Sequence, residues 1–128
     1  VLQDKPKLGH ITTFGGHPVI AAAGLATITE LNNSDLIKET LRKEQLIRAY
    51  LQHSAIKEIR GKGLMLALIL DSPEIVSQII LKCLDKGLLL FWLLFEGKAI
   101  RITPPLTISD KEIKKGCDIL LNVINETQ

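Results

Sequence analysis

The chain has 128 residues, 46% of them hydrophobic and 23% charged, so it can bury a core and is not expected to be disordered. Its 16 lysines and arginines against 14 acidic residues give a net charge of +2, which is too balanced to indicate a nucleic-acid-binding protein. Two cysteines are too few for a disulfide scaffold. The composition predicts a soluble, cytoplasmic protein of mixed α and β structure, and the opening valine is compatible with a piece of a longer chain.

The start of the chain predicts a loop followed by one helix. Residues 9–16 form a glycine-bracketed loop that carries two adjacent threonines, Thr12 and Thr13. Pro18 favours the first position of a helix, which is expected to reach about Leu31. This helix is rich in alanine and glycine, so its face is expected to pack closely against another element.

From Ser34 onward, the patterns follow the order α-β-β-α-β-β-α. The expected elements are a helix from Ser34 to Gln52, strands over 56–60 and 64–70, a helix from Ser72 to Gly87, strands over 88–93 and 99–102, and a helix that begins at Ser109. Turns are expected at residues 60–63 and 96–98, where glycines occur. Lys43 and Arg48 fall on the side of the second helix that is expected to face water. Cys83 and Cys117 fall on apolar helix faces and are assigned to core packing.

The longest apolar run, residues 88–95, reads LLLFWLLF. It is far shorter than the roughly 20 apolar residues of a membrane-spanning helix, so no membrane span is predicted. Between Gly87 and Gly97 it is interpreted as a buried strand. The alternative is a strand end that opens into an apolar loop facing a partner.

Strands joined by short hairpins cannot form an all-parallel sheet. Residues 34–128 therefore predict an α+β domain, a mainly antiparallel sheet with helices on one face. Residues 1–33 do not belong to this unit and are interpreted as the end of a different, larger domain.

Catalytic motifs are scarce. None of the three histidines, His10, His17 and His53, lies at metal-ligand spacing from another ligand, so no metal site is predicted. His17 directly precedes Pro18 and is interpreted as a helix cap. The nucleophile-elbow, zinc-protease and nucleotide-binding motifs do not occur.

Two features nevertheless indicate a binding function. The hydroxyls of Thr12 and Thr13, on a glycine-rich loop ahead of a helix, could cradle a phosphate, and an ordinary serine/threonine turn is an equal alternative. Arg101 lies between apolar residues of a strand that is expected to be half-buried. A guanidinium there could hold a planar anion such as a carboxylate, or form a structural salt bridge.

Three segments resemble motifs of the class III pyridoxal-phosphate aminotransferases. Residues 10–18, HITTFGGHP, resemble the family's HGTTFGGNP segment. Residues 60–65, RGKGLM, resemble its RGxGLM hairpin, and residues 100–106, IRITPPL, resemble its VIRLxPPL strand. The motifs occur in the family's order, and the acetylornithine and ornithine aminotransferases are the most similar subgroup.

The resemblance implies a fold-type-I enzyme, represented here by the end of the large domain and the whole small C-terminal domain. It implies a homodimer with active sites at the subunit interface, in which Thr12 and Thr13 bind the phosphate of the partner subunit's pyridoxal 5'-phosphate. Arg101 would engage a substrate carboxylate. The Schiff-base lysine would lie upstream of this sequence, so no catalytic residue is assigned within it and the chain alone should be inactive.

The implied reaction transfers an amino group from an ornithine-type or other ω-amino donor to 2-oxoglutarate, with small amino acids as substrates and neither nucleic acid nor membrane as partner. Ile11 and His17 depart from the family motif, and the apolar stretch 88–95 leaves the donor open. An aminomutase of the glutamate-semialdehyde type and a non-catalytic α+β binding or assembly module remain alternatives.

Overall fold

The computed structural model describes residues 12–127, which divide into two compact units between Asp35 and Leu36. The elements are α1 (Pro18–Asn33), α2 (Glu39–Tyr50), β1 (Glu58–Lys62), β2 (Met65–Ile69), α3 (Pro73–Asp85), β3 (Phe91–Leu93), β4 (Glu96–Ile102) and α4 (Asp110–Asn125). Within this part of the chain, no helix has the length and apolarity that crossing a membrane requires.

The first unit contains α1. His17 caps this helix as predicted, since its Nδ1 accepts a hydrogen bond from the amide of Val19 at 3.3 Å. The helix continues to Asn33, two residues beyond the expected end, and none of its residues is buried.

The second unit is an α+β domain built on a four-stranded antiparallel sheet, which confirms the predicted fold class. The strand order is β1-β2-β4-β3. One face of the sheet presents Leu66, Leu68 and Ile100 to a single hydrophobic core. The helices α2, α3 and α4 and the segments between the elements contribute the remaining buried side chains. Burial of this shared apolar surface holds the sheet and helices together.

Two cysteines belong to this core. Cys83 on α3 and Cys117 on α4 are both buried, and burial raises the pKa of each thiol to about 11. Both thiols therefore stay protonated at neutral pH, and the prediction of core packing is confirmed.

The helix after Ser34 starts later than the sequence predicted. Ser34 has an extended backbone and ends α1, and α2 begins only at Glu39 and ends at Tyr50. Ser34 therefore does not cap α2, although a serine ahead of an apolar stripe is typical of a cap. The helix starts on α3 and α4 are as predicted, with side-chain caps from Ser72 and Ser109.

Two residues of α2 were expected to face water, but their side chains donate hydrogen bonds to other segments of the unit. Lys43 is buried, and its Nζ donates to the carbonyl of Leu106 at 2.6 Å. Arg48 is half-buried and donates to the carbonyls of Ile59 and Gly61 on β1. Lysine and arginine can bury the hydrocarbon part of the side chain while the charged group binds a polar partner. A prediction from residue charge alone misses this arrangement.

Both hairpin turns are shifted along the chain from their predicted positions. The first turn is Gly63–Leu64, because the last pair of the ladder joins Lys62 and Met65. The second turn is formed by residues 94 and 95, not 96–98, and residues 88–90 are outside β3.

The apolar run 88–95 is consequently not a buried strand, and that prediction is wrong. Its last two side chains, Leu94 and Phe95, are 89% and 98% exposed at the hairpin tip. They occupy a turn, where neither side chain can face the core between sheet and helices. The alternative expectation, a strand that opens into an apolar loop, matches the structure.

Candidate functional site

The predicted phosphate-binding threonines lie at the start of the described residues, in a turn that leads into α1. The turn is closed by a hydrogen bond from the amide of Gly15 to the carbonyl of Thr12 at 3.4 Å. A side chain at Gly15 would overlap the Thr12 methyl group, and Gly16 has a φ of +77°. A residue with a side chain at position 15 or 16 would therefore disturb the conformation of this turn.

The hydroxyls of Thr12 and Thr13 are available for a ligand. Both residues are exposed, and neither hydroxyl has a hydrogen-bond partner within residues 12–127. The His17 side chain already occupies the amide of Val19 at the helix start. A phosphate here would therefore rely on the threonine hydroxyls more than on that amide of α1.

The predicted carboxylate ligand, Arg101, lies on β4 in the second unit. Its position pairs with Ala67 on β2, which in turn pairs with Arg60 on β1. Directly paired residues of antiparallel strands share a sheet face, so both arginines lie on the face opposite the core, with backbones about 10 Å apart.

Arg101 is the arginine without an acidic partner among the described residues. The other three are paired, Arg42 with Asp110 at 2.9 Å, Arg48 with Glu44 at 2.8 Å and Arg60 with Glu58 at 2.7 Å. The Arg101 guanidinium instead lies over the ring of Phe91, 5.1 Å from its centroid.

The environment of Arg101 differs from the sequence-based expectation in one respect. The strand is half-buried as expected, with Ile100 in the core, but Arg101 itself is exposed because it lies on the opposite face. Its positive charge is therefore hydrated and accessible, and the salt bridge that was the alternative is not formed within residues 12–127.

Phe91 is the neighbour that sequence reasoning missed. A turn at residues 96–98 would have paired Leu93 with Arg101. The observed turn at residues 94 and 95, together with an irregularity between Trp92 and Leu93, pairs Phe91 with Arg101 instead. The contact could have been predicted only from the pairing register of this hairpin, and the sequence does not specify that register.

Other candidate ligand groups are dispersed. Within residues 12–127, no group of three histidine, cysteine or acidic side chains is placed to hold a metal ion. His53 contacts Asn125 at 2.9 Å, His17 caps α1, and His10 lies outside the described residues.

Comparison with known proteins relates most of the chain to one family. The family model "Aminotransferase class-III" matches residues 1–124. An acetylornithine aminotransferase of Caldanaerobacter subterraneus is 37% identical over 91% of this chain and 30% of its own length. A 4-aminobutyrate aminotransferase of Mycobacterium leprae is 35% identical over 89% of this chain and 28% of its own length. The chain thus spans about 30% of the length of the curated relatives it matches.

Solved structures give the same relationship. The ornithine aminotransferase from Toxoplasma gondii matches with a TM-score of 0.79 and 28% identity, over 92% of this chain and 29% of that one. A Bacillus anthracis aminotransferase matches with a TM-score of 0.78 and 26% identity, over 91% of this chain and 30% of that one. Sequence motifs, fold and family model agree, and the chain belongs to the class III aminotransferases, a family that depends on pyridoxal phosphate.

Proposed function

We propose that this chain is the C-terminal part of an aminotransferase that moves an amino group from an ornithine-type or other ω-amino donor to a 2-oxo acid, by resemblance 2-oxoglutarate. The observation that carries the proposal is Arg101, an exposed guanidinium with no acidic partner among the described residues. Such a group can bind a carboxylate through two parallel hydrogen bonds.

The proposed organisation follows the resemblance. Residues 1–33 would be the end of the large domain and residues 34–128 the small domain, in a homodimer whose active sites lie at the subunit interface. The Schiff-base lysine would lie outside this sequence. The 128-residue chain alone should then show no transaminase activity.

Pyridoxal phosphate, when bound, supplies the electron sink that lets an amino group leave a carbon atom. The exposed hydroxyls of Thr12 and Thr13 fit its phosphate, because they are unpaired within residues 12–127 and sit on a glycine-shaped turn. In this proposal the threonines hold the phosphate of the partner subunit's cofactor. Arg101 orients the substrate by its carboxylate.

The test is an assay of the intact protein with ω-amino donors and 2-oxoglutarate. Formation of glutamate only when a donor is present supports the proposal. Turnover that needs no 2-oxo acid would instead favour the aminomutase alternative. No turnover with any donor, and no retention of pyridoxal phosphate, would favour the binding or assembly module.

Replacing Thr13 with valine should weaken cofactor retention in the intact protein about tenfold, since a hydrogen bond to a charged group is worth roughly 1.5 kcal/mol or more. Valine keeps the shape of the side chain and removes the hydroxyl, so the fold should persist. The measurement is the amount of pyridoxal phosphate retained after dialysis at several cofactor concentrations.

Thr27→Val is the matched control. The Thr27 hydroxyl already donates to the carbonyl of Ala23 at 2.9 Å on α1, away from the turn. Retention should be unchanged in this variant. Equal retention by Thr13→Val and the unaltered protein would show that Thr13 only shapes the turn.

A further inference from the structure

The Arg101 guanidinium is in contact with an aromatic ring and not with a carboxylate. Its carbon atom Cζ lies 5.1 Å from the centroid of the Phe91 ring, within the roughly 6 Å over which a cation and a ring attract each other. The Arg101 side chain makes no hydrogen bond or ion pair within residues 12–127. Of the electrostatic contacts that could orient this guanidinium, the one with Phe91 is therefore the one that is formed.

Arg42 and Arg60 show the other way of fixing an arginine. Arg42 donates to Asp110 through both terminal nitrogens, at 2.9 Å each, and Arg60 donates to Glu58 at 2.7 Å. Such a partner occupies N–H donors that a carboxylate ligand would need. Attraction to a ring comes from the quadrupole of the ring and does not require the five N–H donors of a guanidinium. The contact of Arg101 thus restricts its orientation and leaves its donors available.

Phe91 is itself fixed by the sheet and by α3. Its backbone is paired with Arg101 at one end of the ladder between β3 and β4. The neighbouring Trp92 makes an edge contact with the Phe91 ring, with centroids 6.1 Å apart and planes at 83°. Trp92 Nε1 also donates to Ser77 Oγ of α3 at 3.1 Å. The position of the Phe91 ring is therefore set by the fold of this unit, without a ligand.

We propose that Phe91 is a positioning residue, whose ring orients the Arg101 guanidinium for a carboxylate before the ligand binds. This inference rests on the proposed function in taking Arg101 as the carboxylate ligand, and it adds the role of Phe91. An exposed arginine has many rotamers, and ordering it on binding lowers the affinity. A ring that already favours the binding orientation should tighten Kd about two- to fivefold, which corresponds to the about 0.5–1 kcal/mol of a cation over a ring at an exposed site.

The measurement is the Kd of glutarate, determined by calorimetry on the intact protein. Glutarate has both carboxylates of 2-oxoglutarate and no oxo group, so it binds without turnover. Phe91→Leu removes the ring and keeps an apolar side chain, and should raise Kd about two- to fivefold. Phe91→Tyr keeps the ring and should bind glutarate as the unaltered protein does. The melting temperature of Phe91→Leu should stay close to that of the unaltered protein, because Phe91 is 51% exposed.

A double-mutant cycle separates positioning from direct contact with the ligand. Arg101→Met should raise Kd about tenfold or more, and adding Phe91→Leu to it should have no further effect if Phe91 acts through Arg101. Phe95→Leu is the matched control, because Phe95 lies at the tip of the same hairpin and is 98% exposed. Among the described residues, Arg101 contacts the ring of Phe91 and not that of Phe95. The Kd of the control should be unchanged.

An unchanged Kd for Phe91→Leu, or a Phe91→Tyr variant as weak as Phe91→Leu, would overturn the proposal. The same loss with and without Arg101 would also overturn it, since Phe91 would then contact the ligand itself. Equal weakening by Phe95→Leu would assign the effect to the hairpin and not to the ring. A protein that binds no glutarate has no carboxylate for Arg101 to receive, and the role of Phe91 is lost.

The transaminase assay keeps this inference distinct from the proposed function. Formation of glutamate together with independent effects of Phe91→Leu and Arg101→Met supports the proposed function and removes the positioning role. Coupled effects of the two substitutions without formation of glutamate support the positioning role and remove the proposed function.

Discussion

Replacing Arg101 with lysine in the intact protein should lower kcat/KM for the carboxylate substrate by about 10- to 150-fold. This range corresponds to the roughly 1.5–3 kcal/mol of a hydrogen bond to a charged group. Lysine keeps the positive charge but cannot present two parallel N–H donors to a carboxylate. Steady-state kinetics with a carboxylate substrate and with its decarboxylated amine should show the loss only for the former.

The same substitution should leave the melting temperature nearly unchanged. Arg101 is exposed and makes no ion pair within residues 12–127, and substitutions at such positions change stability by about 0.5 kcal/mol or less. The contact with Phe91 adds only a small term, because a cation over an aromatic ring at an exposed site contributes about 0.5–1 kcal/mol.

Arg60→Lys is the matched control for this experiment. Arg60 lies on the same sheet face, two strands away, and pairs with Glu58 at 2.7 Å. Its replacement should change kcat/KM by no more than about twofold, since an exposed ion pair contributes little. A lower melting temperature for Arg101→Lys with unchanged kinetics would assign Arg101 a structural role and contradict the proposed one.

The existence and order of the elements in the second unit could be predicted from the sequence, but their boundaries could not. The start of α4 was predictable because Ser109 and Glu112 form a capping box, a local pattern that the structure confirms. The start of α2 was not, because Ser34 precedes an apolar stripe as a cap would but lacks a glutamate three residues later, and it ends α1. A serine between two helices that are close in sequence can end the first helix or begin the second, and the serine alone does not show which.

The site was predictable only in part, for a related reason. Arg101 stood out as a charged residue in an apolar strand, but its neighbour Phe91 depends on the pairing register of a hairpin. An irregularity in the ladder shifts that register, and no residue type in the turn predicts the shift.

Gly61→Ala is expected to destabilise the fold by at least about 2 kcal/mol, through backbone strain and overlap together. Gly61 has a φ of +108°, which residues with a side chain rarely adopt, and an added Cβ would overlap the carbonyl oxygen of Met65 on the paired strand. The RGKG segment was expected to be a turn in which both glycines serve the same purpose. In the structure Gly61 lies within β1, opposite Leu66, and Gly63 alone is in the turn.

Gly87→Ala separates the two contributions. Gly87 has a φ of +81° but no atom within 4 Å of an added Cβ, so only backbone strain of about 1–2 kcal/mol is expected there. Chemical denaturation of both variants should therefore give a larger loss of unfolding free energy for Gly61→Ala. If the two losses are equal, the close approach of the Met65 carbonyl does not contribute, and the hairpin can relax around an alanine at residue 61. If Gly61→Ala costs more, the glycine of this motif is required because the paired strand leaves no room for a side chain.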